Sequence, residues 1–135
     1  MTDSREAKGP VILLVEDEIL IRMIMADDLR LAGFQVLEAI NGEEALALFC
    51  ANGDIRLIVS DIRVPGSIDG LQLAARIKQR CPQMPVVLVS SHLPEEQEVM
   101  ADRFVRKPYN QAKLIEIVQE LTGPEWEKTL KRDVS

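Results

Sequence analysis

The chain has 135 residues, of which 47% are hydrophobic and 28% charged, and its formal net charge is −6. This is the profile of one soluble globular domain, large enough to bury a core without disulfide or metal staples. An acidic balance with no basic run argues against a nucleic-acid surface, which needs clustered Lys and Arg.

Residues 1–10 are polar and lack the apolar segment of a signal peptide, and no apolar run approaches membrane-spanning length. Cys50 and Cys81 form no metal-type or redox-type pair and read as reduced, partly buried thiols. A cytoplasmic protein with no membrane partner is the expectation.

Val11 to Val15 is an apolar run of strand length that stops on Glu16-Asp17-Glu18. A helical pattern follows from about Ile19 to Ala32, closed by Gly33. Gln35 to Glu38 predicts a short second strand. Asn41, with Glu44 three residues on, predicts the capped start of a second helix through Ala45, Leu46, Leu48 and Phe49.

After the turn Asn52-Gly53-Asp54, the run Ile55 to Ser60 drives into the interior, ends on Asp61 and breaks into the loop Pro65-Gly66-Ser67-Ile68-Asp69-Gly70. A third helix runs through Leu71, Leu73, Ala74 and Ile77 to about Arg80, and Cys81-Pro82 ends it. Val86 to Ser90 is the fourth strand, opened by Pro85. A short acidic helix at 94–100 leads to a brief strand at Arg103 to Val105, and Lys107-Pro108 precedes a last helix from about Asn110 to Leu121.

Five alternations of strand and helix define an α/β class: a doubly wound five-stranded parallel sheet covered on both faces, with right-handed crossovers. Alternation does not fix the strand order; 2-1-3-4-5, a common doubly wound arrangement, is the expectation.

In a parallel sheet the carboxyl ends of the strands share one edge, where ligands of such sheets bind. Here that edge carries Glu16, Asp17, Asp61, Ser90 and Lys107. Three carboxylates held together repel one another unless a cation intervenes, and hard oxygen ligands suit Mg2+. With Lys107 as a fixed cation and Ser90 as a hydroxyl donor, the set has what phosphoryl transfer to a carboxylate requires, with Asp61 as the in-line nucleophile.

These residues carry a resemblance. Val15-Glu16-Asp17-Glu18, Ser60-Asp61, Pro65 with Asp69-Gly70, Pro85 to Ser90-Ser91, and Lys107-Pro108 stand in the order and near the spacing of a receiver domain of two-component response regulators. The chain resembles that family, of the stand-alone bacterial type, over about residues 10–122. The N-terminal segment 1–9 reads as flexible and 123–135 as a tail. The resemblance implies that Asp61 is the phosphoacceptor in a phosphorelay, and that Glu16 and Asp17 hold Mg2+ with it, completed by the backbone carbonyl of Arg63. It further implies that Ser90 turns toward the phosphoryl group, Phe104 is the switch aromatic, Lys107 contacts the phosphate and the Lys107–Pro108 bond is cis.

Each role has a plainer counterpart. An Asp at a strand end is often a cap or turn former; Ser90 reads equally as a satisfied hydroxyl, Phe104 as core, and Glu16 as a solvent-facing supporting charge. His92, the lone histidine, lies in a loop beside an anion site and reads as incidental rather than as a phosphodonor.

Two departures from the family stand out. The segment from Ser90 to Lys107 is shorter than usual by more than a helical turn, which predicts a short or irregular helix there and an altered output. The loop after Asp61 carries one extra residue, at Gly66-Ser67. Arg63, two residues past the acceptor, is placed to act on dephosphorylation by its charge, or simply to be solvated.

The first helix is apolar nearly all round its opening turns, broken only by Arg22. In receivers this helix meets the histidine kinase, so Leu20 and Met23 read as docking residues for a kinase or phosphotransfer protein. The tail carries the only Trp, Trp126, which implies docking on its own domain or on a second subunit as a homodimer arm.

Three other classes compete. A phosphohydrolase with an aspartyl nucleophile wants a carboxylate two residues on, where this chain has Arg63. A flavodoxin-like cofactor binder wants a hydroxyl- or Gly-rich loop where Glu16-Asp17-Glu18 stands. A degenerate receiver would have lost the acidic pair, Asp61, Ser90 or Lys107. The reading is therefore a signalling domain that phosphorylates only itself and is otherwise not an enzyme.

Overall fold

A computed structural model describes residues 9–91 and 101–123. The expected helix at 94–100, His92, Trp126 and nearly all of both terminal segments lie outside the described residues. The elements in chain order are β1 (Val11–Val15), α1 (Ile19–Leu31), β2 (Gln35–Ala39), α2 (Gly42–Ala51), β3 (Ile55–Asp61), α3 (Gly70–Arg80), β4 (Val86–Ser90), β5 (Arg103–Arg106) and α4 (Gln111–Leu121). The five strands form one parallel sheet in the order β2-β1-β3-β4-β5.

The period-2 alternation of a strand divides the core into two clusters. Ile12, Leu14, Leu57, Val59, Val87 and Val89 pack with Met25, Ala26 and Leu29 of α1 and Leu114, Ile117 and Val118 of α4. Val11, Leu13, Ile58 and Leu88 pack with Ala45 of α2 and Leu73, Ala74 and Ile77 of α3. Helices cover both faces, so β1, β3 and β4 read as continuous apolar runs. Leu57 and Ile58, adjacent and both fully buried, serve opposite clusters. Truncating either to Ala would cost roughly 2–5 kcal/mol.

The helix ends explain their boundaries. Gly33 sits at φ +104° just past α1, a conformation that favours glycine. The Asn41 side chain accepts from the Glu44 amide at 2.8 Å, while Glu44 accepts from the Ile40 amide, one residue before the cap. Asp69 and Gln72 form a full capping box on α3, and Asn110 caps α4.

Three expectations need amendment. β3 extends through Asp61 because its ladder with β4 continues to the pair Asp61–Val89. Gly9, placed by the sequence in a flexible segment, is tied down, its amide donating to the Gly33 carbonyl at 3.0 Å. Cys50 is exposed, not partly buried: it stands near the end of α2, where its Sγ accepts from Arg80 Nη1 at 2.7 Å.

Candidate functional site at the carboxyl edge of the sheet

Strand register assembles the edge. Val15 pairs with Ser60, so Glu16 follows opposite Asp61; Asp61 pairs with Val89, and Ser90 with Arg106, so Ser90 and Lys107 stand one step further out. The stagger across four parallel strands, β1, β3, β4 and β5, brings residues 91 positions apart in the chain, Glu16 and Lys107, into one row.

Asp61 is the centre of that row. Its side chain is only 11% exposed, and Lys107 Nζ donates to Oδ2 at 2.7 Å. The Arg63 amide donates to Oδ1 at 3.1 Å, so both carboxylate oxygens have donors. Ser60 Oγ donates to the Asp61 carbonyl at 2.8 Å. For Lys107, burial pulls the ammonium pKa down, but the hydrogen bond and charge of Asp61, with Glu16 and Glu18 behind, outweigh it. The net is above the ordinary lysine value, so the ammonium is firmly charged at neutral pH. The Lys107–Pro108 bond is cis, and the Lys107 amide donates to the Ser90 carbonyl at 2.9 Å, which holds the end of β5 to β4.

Glu16 is buried at 3% exposure, and its Oε2 accepts from the Glu18 amide at 3.1 Å. Burial raises its pKa most; the Glu18 amide and Lys107 pull it down, and the charges of Asp61 and Asp17 push it up, to about 6 overall. Asp17, next along, is exposed. Ser90 is buried at the end of β4, and Phe104 is half-buried on β5 against the cluster shared with α2 and α3. Leu20 and Met23 are 71% and 50% exposed, beside Ile19 and Ile24.

Glu16, Asp17 and Asp61 stand together at this edge, near enough for the charges of Asp61 and Asp17 to act on Glu16. Among the described residues, no three His, Cys, Asp or Glu side chains are gathered closely enough to hold a metal ion by themselves. The reason lies in competing partners: Glu16 turns to the Glu18 amide, Asp61 to Lys107, and Asp17 to solvent. The donor set still fits Mg2+, which takes one or two carboxylates and keeps several waters. The upward push of Asp61 and Asp17 on Glu16 marks an excess of negative charge that a dication would relieve.

Several participants were not singled out from the sequence. Tyr109 is half-buried, its hydroxyl donating to Met25 Sδ at 3.4 Å. Burial, then the charges of Glu16, Asp61 and Asp28, push its phenol up to about 12. Its place directly after Lys107-Pro108 was the available signal. The loop after Asp61 has a partner in Glu43 on α2, which accepts from the Ser67 amide at 2.9 Å and from Ser67 Oγ. Gly66, at φ +101°, lets the loop tip pass beside Glu43, where a Cβ would lie 2.6 Å from Oε1. Hydrogen bonding with Ser67 holds the Glu43 carboxyl below its ordinary value. Nothing local in the sequence marks that pairing of residues 24 positions apart.

Comparison with known proteins shows the family. The response regulator receiver domain family model matches residues 12–119, and the chain belongs to that family. A putative NtrX-like response regulator of Rickettsia conorii is 36% identical over 110 residues, which is 77% of this chain and 23% of the relative. The phosphate regulon transcriptional regulatory protein PhoB of Pseudomonas aeruginosa is 32% identical over 126 residues, 86% of this chain and 54% of PhoB. The chain thus spans about a quarter to a half of these two relatives.

Among solved structures, TrrA of Thermotoga maritima, in complex with Mg2+-BeF, superimposes with a TM-score of 0.76 at 32% identity, covering 83% of this chain and 98% of TrrA. The receiver domain of the hybrid histidine kinase CckA gives 0.73 at 37% identity, covering 84% and 99%. Among the described residues, no helix is long and apolar enough to cross a membrane.

Proposed function

We propose that this receiver domain accepts a phosphoryl group on Asp61 with Mg2+, from the phosphohistidine of a histidine kinase or phosphotransfer protein, and signals through altered protein binding. The observation that carries the reading is the Asp61–Lys107 pair at 2.7 Å on the edge where Glu16, Asp17 and Ser90 also stand. A structure of similar fold, TrrA, was solved in complex with Mg2+-BeF, which supports a part for Mg2+ in the reading.

An Asp61 oxygen attacks phosphorus in line as the donor's bond to phosphorus breaks and its electron pair leaves with the donor. The product is an acyl phosphate. Lys107 passes from neutralising the carboxylate to neutralising the phosphoryl oxygens, and Ser90 is the hydroxyl at the end of β4 that turns toward them. The Arg63 amide holds Oδ1 and so orients the nucleophile. When bound, Mg2+ screens the charge that otherwise keeps two anions apart; Asp17, Asp61 and the Arg63 carbonyl would hold it, with Glu16 beside them. Phe104, half-buried on β5, is the aromatic whose setting follows that of Ser90.

The exposed apolar face Ile19, Leu20, Met23 and Ile24 is the docking surface for the phosphodonor, with Leu20 and Met23 in the contact. Leu20→Glu should slow transfer from the protein donor at least tenfold and leave transfer from a small acyl phosphate unchanged; equal rates from both donors would remove the docking role. This function is proposed for the receiver domain rather than for a stand-alone protein, since relatives such as PhoB are longer. The exclusion of nucleic acid likewise concerns this domain's own acidic surface.

The test is incubation with a small acyl phosphate, with and without Mg2+, followed by intact mass. One phosphoryl group should appear on the wild type only with Mg2+, and none on Asp61→Asn. A wild type that gains no mass under these conditions would overturn the reading.

A further inference from the structure

Helix α1 inverts the usual pattern. Ile19, Leu20, Met23 and Ile24 are 50% exposed or more, while the side chain of Arg22 is only 14% exposed. Solvated guanidinium has been exchanged for two fixed acceptors: Arg22 Nη1 donates to the Glu16 carbonyl at 3.0 Å, and Nε to Glu38 Oε1 at 3.1 Å. Glu38, on β2, is held in turn by Arg30 Nη2 at 3.1 Å, and Arg30 also donates to the Val36 carbonyl at 3.0 Å. The planar fork of arginine suits two acceptors at once, which the point charge of lysine does not.

The Glu16 carbonyl belongs to the peptide unit that carries the Asp17 amide. Fixing its plane fixes the N–Cα bond of Asp17 and leaves rotation about that bond as the remaining backbone freedom that aims its side chain. The Glu16 amide is already bonded to the Ala39 carbonyl at 3.0 Å, and the Arg22 amide to the Glu18 carbonyl at 2.9 Å. Arg22 thus closes the turn between β1 and α1 from the far side, bracing an exposed carboxylate that has no other fixed support among the bonds described.

We propose that Arg22 is a positioning residue for divalent-cation binding: its fork, braced by Glu38, sets the acidic turn Glu16–Asp17–Glu18 in the orientation that receives the cation. The proposal rests on the Mg2+-dependent function given above. It differs in sign from simple electrostatics. Removing a cation near carboxylates should tighten Mg2+ binding by up to a few fold, whereas loss of a bracing partner typically weakens metal affinity about 10–100-fold.

The experiment is calorimetric titration of metal-free protein with MgCl2 at physiological salt, with amide hydrogen exchange on the same metal-free samples. Arg22→Met should weaken Mg2+ affinity about tenfold and speed exchange at the Asp17 and Glu18 amides. Arg22→Lys, which keeps the charge but reaches one acceptor, should bind with intermediate affinity; should Arg22→Met fail to fold, this variant decides alone. Affinity of Arg22→Met equal to or tighter than wild type, affinity of Arg22→Lys equal to wild type, or unchanged exchange at Asp17 and Glu18 would each overturn the proposal. A wild type that binds no Mg2+ would sink the proposed function, and with it the cation role of Arg22, whatever exchange shows about the turn.

Discussion

Glu16→Gln should stabilise the metal-free protein at neutral pH. Glu16 is 3% exposed, and burial with the charges of Asp61 and Asp17 raises its pKa from 4.5 to about 6. The folded state therefore holds this proton more tightly than the unfolded chain. Stability falls as pH rises from 4.5 through 6, and above that window the buried charge costs the fold on the order of 2 kcal/mol. Glutamine removes the charge while its Oε1 can still accept from the Glu18 amide. Urea unfolding of the two proteins in the presence of a chelator should show the variant ahead by about 1–2 kcal/mol at pH 7.5, with the gap closing toward pH 4.5. Saturating Mg2+ should reverse the order by stabilising the wild type preferentially. A variant less stable than wild type at pH 7.5 without metal, or a gap independent of pH, would refute the reasoning.

Other consequences follow from the same edge. A Cβ at Gly70 would lie 2.4 Å from the Asp61 carbonyl and 2.7 Å from the Ile62 Cα, both backbone, so Gly70→Ala must push α3 away from the nucleophile. It should lower stability by roughly 2–4 kcal/mol, and an unchanged denaturation midpoint would contradict the close approach. Tyr109 is the only tyrosine, so its ultraviolet titration is clean. The midpoint should approach 12 rather than 10, and the stability tied to its raised pKa should be lost as pH climbs from about 10 to 12. A midpoint near 10 in the folded protein would place the phenol in water.

The layers were readable in the sequence for a definite reason. Helices cover both faces of the sheet, so Val11–Val15, Leu57–Val59 and Val86–Val89 had to be apolar on both sides, and each run ends on a polar residue at the carboxyl edge, Glu16, Ser60 or Ser90. Asp61 and Lys107 were readable because they stand at those exits. Arg22 was not: periodicity sends an arginine in an exposed apolar helix outward, whereas two backbone and side-chain acceptors draw it in. The bond between Glu43 and Ser67 was likewise invisible, since it depends on how closely α2 and the loop after Asp61 approach. The fixed donors at the edge were not legible either: the Glu18 amide holds Glu16 and Lys107 holds Asp61, and spacing alone does not say which donor each carboxylate takes.

The measurement that bears most directly on the central claim is chemical location of the phosphoryl group. After phosphorylation with a small acyl phosphate and Mg2+, borohydride reduction converts an acyl phosphate on aspartate to homoserine, which peptide sequencing by mass spectrometry can place. Homoserine at position 61, with Glu16 and Asp17 unmodified, is the predicted result. Reduction at either of those acidic residues, or an unreduced Asp61 in protein that has gained phosphoryl mass, would contradict the assignment of Asp61 as the phosphoacceptor.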